Sequence, residues 1–222
     1  MGGRYEHDTS RDQGGVRRGR TRSGREGEAV RVLVACEFSG IVRDAFRSEG
    51  HDAWSCDLLP SERVGPHIMV DVLDILGHGW DLLIAHPPCT YLAVSGAAHF
   101  HKPGRREKQD DALAFFSALL AAPIQRIAVE NPIGVASTRI RKPDQIIQPW
   151  MFGHAEQKST CLWLQGLPPL MATDNVQAAM AALPKSQRER IHYLSPSPNR
   201  WKIRSRTFQG IAAAMAAQWG AL

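Results

Sequence analysis

The chain has 222 residues, with 27 Lys and Arg against 22 Asp and Glu, nine His, four Cys and 43% hydrophobic residues. That length predicts one domain with a sizeable core and that composition a soluble globule, since no apolar run reaches the roughly 20 residues a membrane helix needs. No apolar stretch follows the Arg-bearing N-terminus, which excludes a secretory signal and predicts a cytoplasmic protein with free thiols at Cys36, Cys56, Cys89 and Cys161.

The positive charge is concentrated. Six Arg and one Asp lie between Arg11 and Arg25, and seven basic residues and one Glu between Lys185 and Arg206. An acidic partner, nucleic acid first, is the expectation. Residues 1–28 are rich in Gly, Arg, Ser and Asp and lack apolar periodicity, which predicts a disordered basic tail. Residues 29–222 form the single expected domain.

The first strand is predicted over Val30–Ala35, a short β-branched run suited to burial on both faces. A helix follows from Ile41, with Ser39 as its expected N-cap and Gly50 just past its end. Strands are then predicted at His51–Cys56, near His67–Val70, at Asp81–Ala85 and at Ile127–Glu130. The charged stretch Arg105–Asp111 leads into an apolar helix from Ala112 to about Ala122. Strands alternating with helices predict a parallel α/β sheet with right-handed crossovers. Beyond Pro143 the pattern changes to a strand at Thr160–Leu164, a Pro-studded basic insert over residues 166–204, and a closing Ala-rich helix at Phe208–Trp219.

In such sheets ligands bind beyond the carboxyl ends of the strands. There the sequence collects Glu37-Phe38-Ser39-Gly40, Asp57, Asp71, His86-Pro87-Pro88-Cys89 and Glu130-Asn131-Pro132. Ser39 and Gly40 at the first turn allow close backbone approach, but no GxGxxG or GxxxxGK[ST] pattern is present. An acid at Asp57 suits ribose hydroxyls, and Asp71 suits an exocyclic amine, so a nucleoside with little or no phosphate fits better than NAD or ATP. The two prolines before Cys89 form a stiff turn that presents a thiol, a competent nucleophile as the thiolate. A carboxyl at Glu130, ending a buried strand, is expected to be desolvated and to titrate upward toward neutrality, as a proton donor. His86, Cys89, His99 and His101 match no familiar zinc spacing, so no metal is expected.

These segments resemble, in order and approximate spacing, the motifs of DNA cytosine-5 methyltransferases, and more closely the short phage-type proteins of that kind. The shared pieces are Glu37–Gly40, Asp57, Asp71-Val72, His86–Thr90, Glu130–Pro132, Lys158–Pro168 and Arg204–Gly220. The resemblance implies a Rossmann-like class I methyltransferase sheet with helices on both faces and a reduced or absent target-recognition domain. It implies S-adenosylmethionine as cofactor, bound by Phe38, Ser39, Gly40, Asp57, Asp71, Val72 and Pro88, and DNA as partner. Cys89 would attack C6 of cytosine, Glu130 would act at N3, and Asn131, Lys158, Arg204 and Arg206 would contact substrate or DNA. A monomer without membrane or metal is expected. The chain departs from the family in lacking its motif-one acid (Cys36 occupies that neighbourhood), a clear QxRxR motif and a large recognition domain. Two other readings stay open at this point: an amino-methyltransferase acting on DNA, and a catalytically silent nucleic-acid-binding protein of the same fold.

Overall fold

The computed structural model describes residues 29–94 and 103–222. The expected basic tail, His99 and His101 lie outside the described residues.

Seven strands form one sheet: β1 (Arg31–Ala35), β2 (Asp52–Cys56), β3 (His67–Ile68), β4 (Leu82–Ala85), β5 (Arg126–Pro132), β6 (Gln145–Ile147) and β7 (Thr160–Gln165). Their order across the sheet is β3-β2-β1-β4-β5-β7-β6. The pairs from β3 to β5 are parallel, whereas β7 runs antiparallel to both of its neighbours. The all-parallel expectation is therefore corrected at β7. A strand entered from an antiparallel neighbour needs no helical crossover, and β6, only three residues long, returns through a loop into β7.

The eight helices of the described residues are α1 (Ile41–Ser48), α2 (Arg105–Leu120), α3 (Ala136–Arg139), α4 (Gln177–Ala182), α5 (Lys185–Arg188), α6 (Arg190–Tyr193), α7 (Arg200–Ser205) and α8 (Gln209–Trp219). Successive strand residues point to opposite faces, and both faces are covered. Val32, Val34, Leu82 and Ile84 pack with Val42 and Phe46 of α1 and with Ile211, Met215 and Trp219 of α8. Leu33, Leu83, Ile127 and Trp163 pack with Leu113, Phe116 and Leu119 of α2. Trp163 meets Phe116 edge-on at 5.0 Å, and its indole N–H donates to the Arg141 carbonyl at 2.8 Å. This is the expected Rossmann-like α/β sheet with helices on both faces.

Two helix boundaries differ from expectation. α2 begins seven residues earlier than Ala112, at Arg105. Its charged first turns belong to the helix because Gln109, Leu113, Phe116 and Leu119 recur at helical spacing on the buried side. The α1 N-terminus is held mainly by Glu37 rather than Ser39: the Glu37 carboxylate accepts from the Val42 and Arg43 amides at 2.7 and 3.2 Å, and the Ser39 hydroxyl only from Ile41 at 3.3 Å. The C-terminus follows the reading at Gly50, whose φ of 87° accompanies amide bonds from Gly50 to Arg47 and from His51 to Phe46.

Candidate active site

β4 and β5 are parallel neighbours with Ala85 paired to Val129. The next residues in register, His86 and Glu130, thus leave adjacent strand ends together. The His86 Nδ1 lies 3.1 Å from Glu130 Oε2, with His86 side-chain exposure of 7% against 17% for Glu130. One residue further, the Asn131 side-chain amide donates to the Pro87 carbonyl at 2.9 Å and Asn131 is buried. That bond fixes the prolyl turn against β5. Asn131, expected among the substrate contacts, tethers the turn through this bond.

The loops beyond the two strand ends are zipped together. Val135 donates to Leu92 and Val94 to Ile133, and a Cβ on Gly134 would meet the Leu92 carbonyl, which is why a glycine stands there. The turn itself is closed by amides of Leu92 and Ala93 donating to the Cys89 carbonyl at 3.0 and 2.9 Å. Pro87 is buried, while Pro88 and Cys89 are exposed at the open end.

Cys89 has solvent-exposed surface, but the protein packed around it still desolvates the sulfur. That burial first, and the Glu130 charge second, push its thiol above the ordinary value, while Lys158 and Arg204 pull it down. Glu130 behaves opposite to expectation. Burial pushes its carboxyl up, yet the hydrogen bond from His86, the Lys158 ammonium and the His86 charge together hold it below the ordinary carboxylate value. The sequence reading weighed the desolvation and could not place the cations. Lys158 donates to the Arg204 carbonyl at 3.1 Å, so the segment entering β7 and helix α7 bring their charges together beside Cys89.

On the other side of His86 lies the strand-one turn. Gly40 takes φ 69°, and a Cβ there would collide with the Arg43 guanidinium. Glu37 is buried, and burial raises its carboxyl above the ordinary value despite His86 and the α1 amides. Asp57 accepts from the Leu59 amide and is raised by burial, and Asp71 caps the short turn at Val72–Asp74 through the Leu73 amide. The charges of both acids are felt at Cys36 and Cys56, so they share one rim. Val72 is buried in the core, whereas Leu58 and Leu73 stand 73% and 42% exposed.

Phe38 is buried under Trp201 of α7, with ring centroids 5.6 Å apart, and Lys202 lies over both rings. Arg206 forks onto Glu62 at 2.9 and 3.0 Å, so its guanidinium is engaged within the protein. Cys36, Glu37, Phe38, Ser39, Ser205 and Thr207 line a cleft reaching His86. A second cleft continues past His86 and Thr207 to Glu130, Lys158, Thr160 and Phe208. The two candidate halves meet at His86.

The sequence reading missed His86 as a partner of Glu130, and the Phe38–Trp201 and Glu62–Arg206 contacts. Strand register could have signalled the first; the others join residues more than 140 positions apart and leave no local pattern. Among the described residues, no cluster of three metal-ligating side chains occurs, and no helix is long and apolar enough to cross a membrane.

No family model matches the chain, and no curated protein matches it. Among solved structures the chain is similar to one from E. coli described as a candidate DNA modification methyltransferase encoded within a prophage. The identity is 14%, the TM-score 0.41, and the match covers 71% of this chain and 56% of that one. The chain thus spans little more than half the length of that structure.

Proposed function

We propose that the protein transfers a methyl group from S-adenosylmethionine to C5 of cytosine in DNA through a covalent Cys89 adduct. The observation that supports this most is the shared strand-end geometry: a presented thiol and a carboxyl, borne on β4 and β5 and locked together by His86 and Asn131. Cytosine C5 is a poor nucleophile until addition at C6 breaks the ring's aromaticity, so a thiolate and a group acting at N3 are both needed.

The strand-one side fits the cofactor. The α1 amides are occupied by the Glu37 carboxylate, which repels a phosphate, while Asp57 and Asp71 offer acceptors and Leu58 and Leu73 apolar surface for a nucleoside. When bound, S-adenosylmethionine supplies an electrophilic methyl on sulfur. Phe38, Ser39, Gly40, Asp57, Asp71, Val72 and Pro88 would hold it. The DNA would be met by Lys158, Arg204 and neighbouring cations of α7, and Arg206 would contribute only if it left Glu62.

In the reaction the Cys89 sulfur bonds to C6 and the displaced ring electrons move toward N3, where a proton from Glu130 meets them. C5 then takes the methyl group, which would leave the donor as a neutral thioether. A water takes the C5 proton, the freed pair re-forms C5=C6, the S–C6 bond breaks to release the Cys89 thiolate, and N3 returns its proton to Glu130. A paired base must be extruded to reach Cys89. Docking of that base removes the last water from Glu130, which favours its protonated form.

The test is incubation with labelled S-adenosylmethionine and cytosine-containing DNA, followed by analysis of the base. Label at C5, its loss in Cys89→Ser, and a trapped adduct with 5-fluorocytosine DNA are the expected results. Glu130→Gln should slow transfer by orders of magnitude at similar cofactor affinity. Label on an exocyclic amine, or cofactor binding without transfer, would refute the proposal.

A further inference from the structure

His86 sits where the two clefts meet, and neither its sequence context nor the proposed chemistry assigns it a task. Its Nδ1 faces Glu130 Oε2 at 3.1 Å. Its side chain is 7% exposed, and its Nε2 is buried with no hydrogen-bond partner among the described residues. A buried imidazole nitrogen without a partner costs free energy. His86 lines both the cleft that holds Glu37 and Thr207 and the one that holds Lys158 and Thr160.

We propose that His86 is the positioning residue of the site: it holds Glu130 by one oxygen and leaves the other to face the base. The inference rests on the cytosine-5 reading above. An ionised carboxylate only accepts, so Nδ1 donates to Oε2. A fixed Oε2 orients the carboxyl plane and makes Oε1 the oxygen available to cytosine N3. The bond remains while Oε1 delivers its proton during addition at C6 and recovers it on elimination, so His86 neither gains nor loses a proton overall.

The groups facing Glu130 besides His86 are Lys158, two residues before β7, and the thiols Cys89 and Cys161, and Glu37 faces His86 from the strand-one turn. Of these, His86 and Lys158 favour the ionised carboxyl. Removing His86 therefore raises the pH at which Glu130 loses its proton. Because the reaction needs that proton, the alkaline limb of the rate profile moves up with it.

Two variants separate positioning from charge. His86→Asn places an uncharged amide near the position of Nδ1 and keeps a donor; His86→Ala keeps neither. The carboxyl band of Glu130, identified by infrared difference against Glu130→Gln, is titrated in the free protein. We expect it to persist about one pH unit or more higher in His86→Asn than in the wild type. Single-turnover methyl transfer by His86→Asn should retain most of its maximal rate with the alkaline limb shifted upward, whereas His86→Ala should lose maximal rate as well. Coincident band titrations in wild type and His86→Asn would overturn the inference even if His86→Ala fails to fold. Absence of a 5-fluorocytosine adduct in the wild type is a different failure: it overturns the cytosine-5 chemistry, and the band titration still decides whether His86 governs Glu130.

Discussion

Replacing Arg43 by Met tests how α1 supports the cofactor-side loop. The Arg43 side chain is fully buried and donates to Asp44 at 2.8 Å, to the hydroxyls of Ser55 and Ser61 at 3.1 Å each, and to the carbonyls of Arg63 and Val64 at 3.4 and 3.3 Å. Five such bonds, at about 1 kcal/mol net each, set an upper value of about 5 kcal/mol. Against this, removing a buried cation recovers several kcal/mol of desolvation, and Met keeps the packing of the aliphatic stem. The stranded acceptors decide the balance. Ser55 retains His67 Nδ1 at 2.8 Å, Asp44 is one-third exposed, and Arg63 and Val64 lie at the surface, so water or other partners serve them all. The expected net loss is about 2–3 kcal/mol, which at a urea dependence of about 2–3 kcal/mol/M lowers the midpoint by about 1 M. Arg43→Lys should recover less than half of that, since one ammonium cannot span both hydroxyls and the two carbonyls. Equilibrium urea unfolding followed by tryptophan fluorescence measures both. An unchanged midpoint in Arg43→Met would show that the guanidinium contributes nothing net. The reasoning would then fail for the loop carrying Asp57 and Glu62 as well.

Thiol labelling checks the electrostatics of the site without any substrate. Burial pushes Cys56 and Cys161 to about 11 and Cys36 higher still, so iodoacetamide near pH 8 should modify only the exposed Cys89 of the four. Glu130→Gln removes a charge that raises the Cys89 thiol and should speed labelling at fixed pH, whereas Lys158→Met removes one that lowers it and should slow labelling. Equal rates in the three proteins, read by intact mass, would contradict the arrangement. Asn131→Ala strands the Pro87 carbonyl and should cost about 1–2 kcal/mol of stability. It should reduce the rate of methyl transfer more than cofactor affinity; the reverse pattern in single-turnover and equilibrium binding measurements would remove Asn131 from the support of the turn.

What could be read before the structure was what short-range chemistry dictates. β1, β2, β4 and β5 announce themselves as apolar runs, because a strand covered on both faces has no polar side to show. The Gly50 terminus of α1 follows from the one residue that takes a positive φ without strain. The candidate segments come together for a related reason, since parallel strands deliver their C-terminal residues to a common edge. The failures involve partners distant in sequence. β6 has three residues and a Gln, too little pattern to mark a strand, and the reversal of β7 depends on it. Desolvation of Glu130 follows from its strand, but the His86 hydrogen bond and the Lys158 ammonium that outweigh it arrive from positions 44 residues before and 28 after. Arg206 looked like a free basic residue because its carboxylate partner, Glu62, lies 144 positions away.

The short insert before α8 touches both clefts through few residues. Helix α7 spans six residues, yet Trp201 covers Phe38 on the cofactor side while the Arg204 carbonyl accepts from Lys158 on the Glu130 side. Just beyond it, Arg206 is fastened to Glu62, whose own amide donates to the Phe38 carbonyl at 2.8 Å. The helix buries none of its residues fully, so these few contacts rather than a core fix its place. A segment held this way has low local stability and opens more readily than the sheet beneath it. Its cations Lys202 and Arg204 are consequently tied to the state of both clefts.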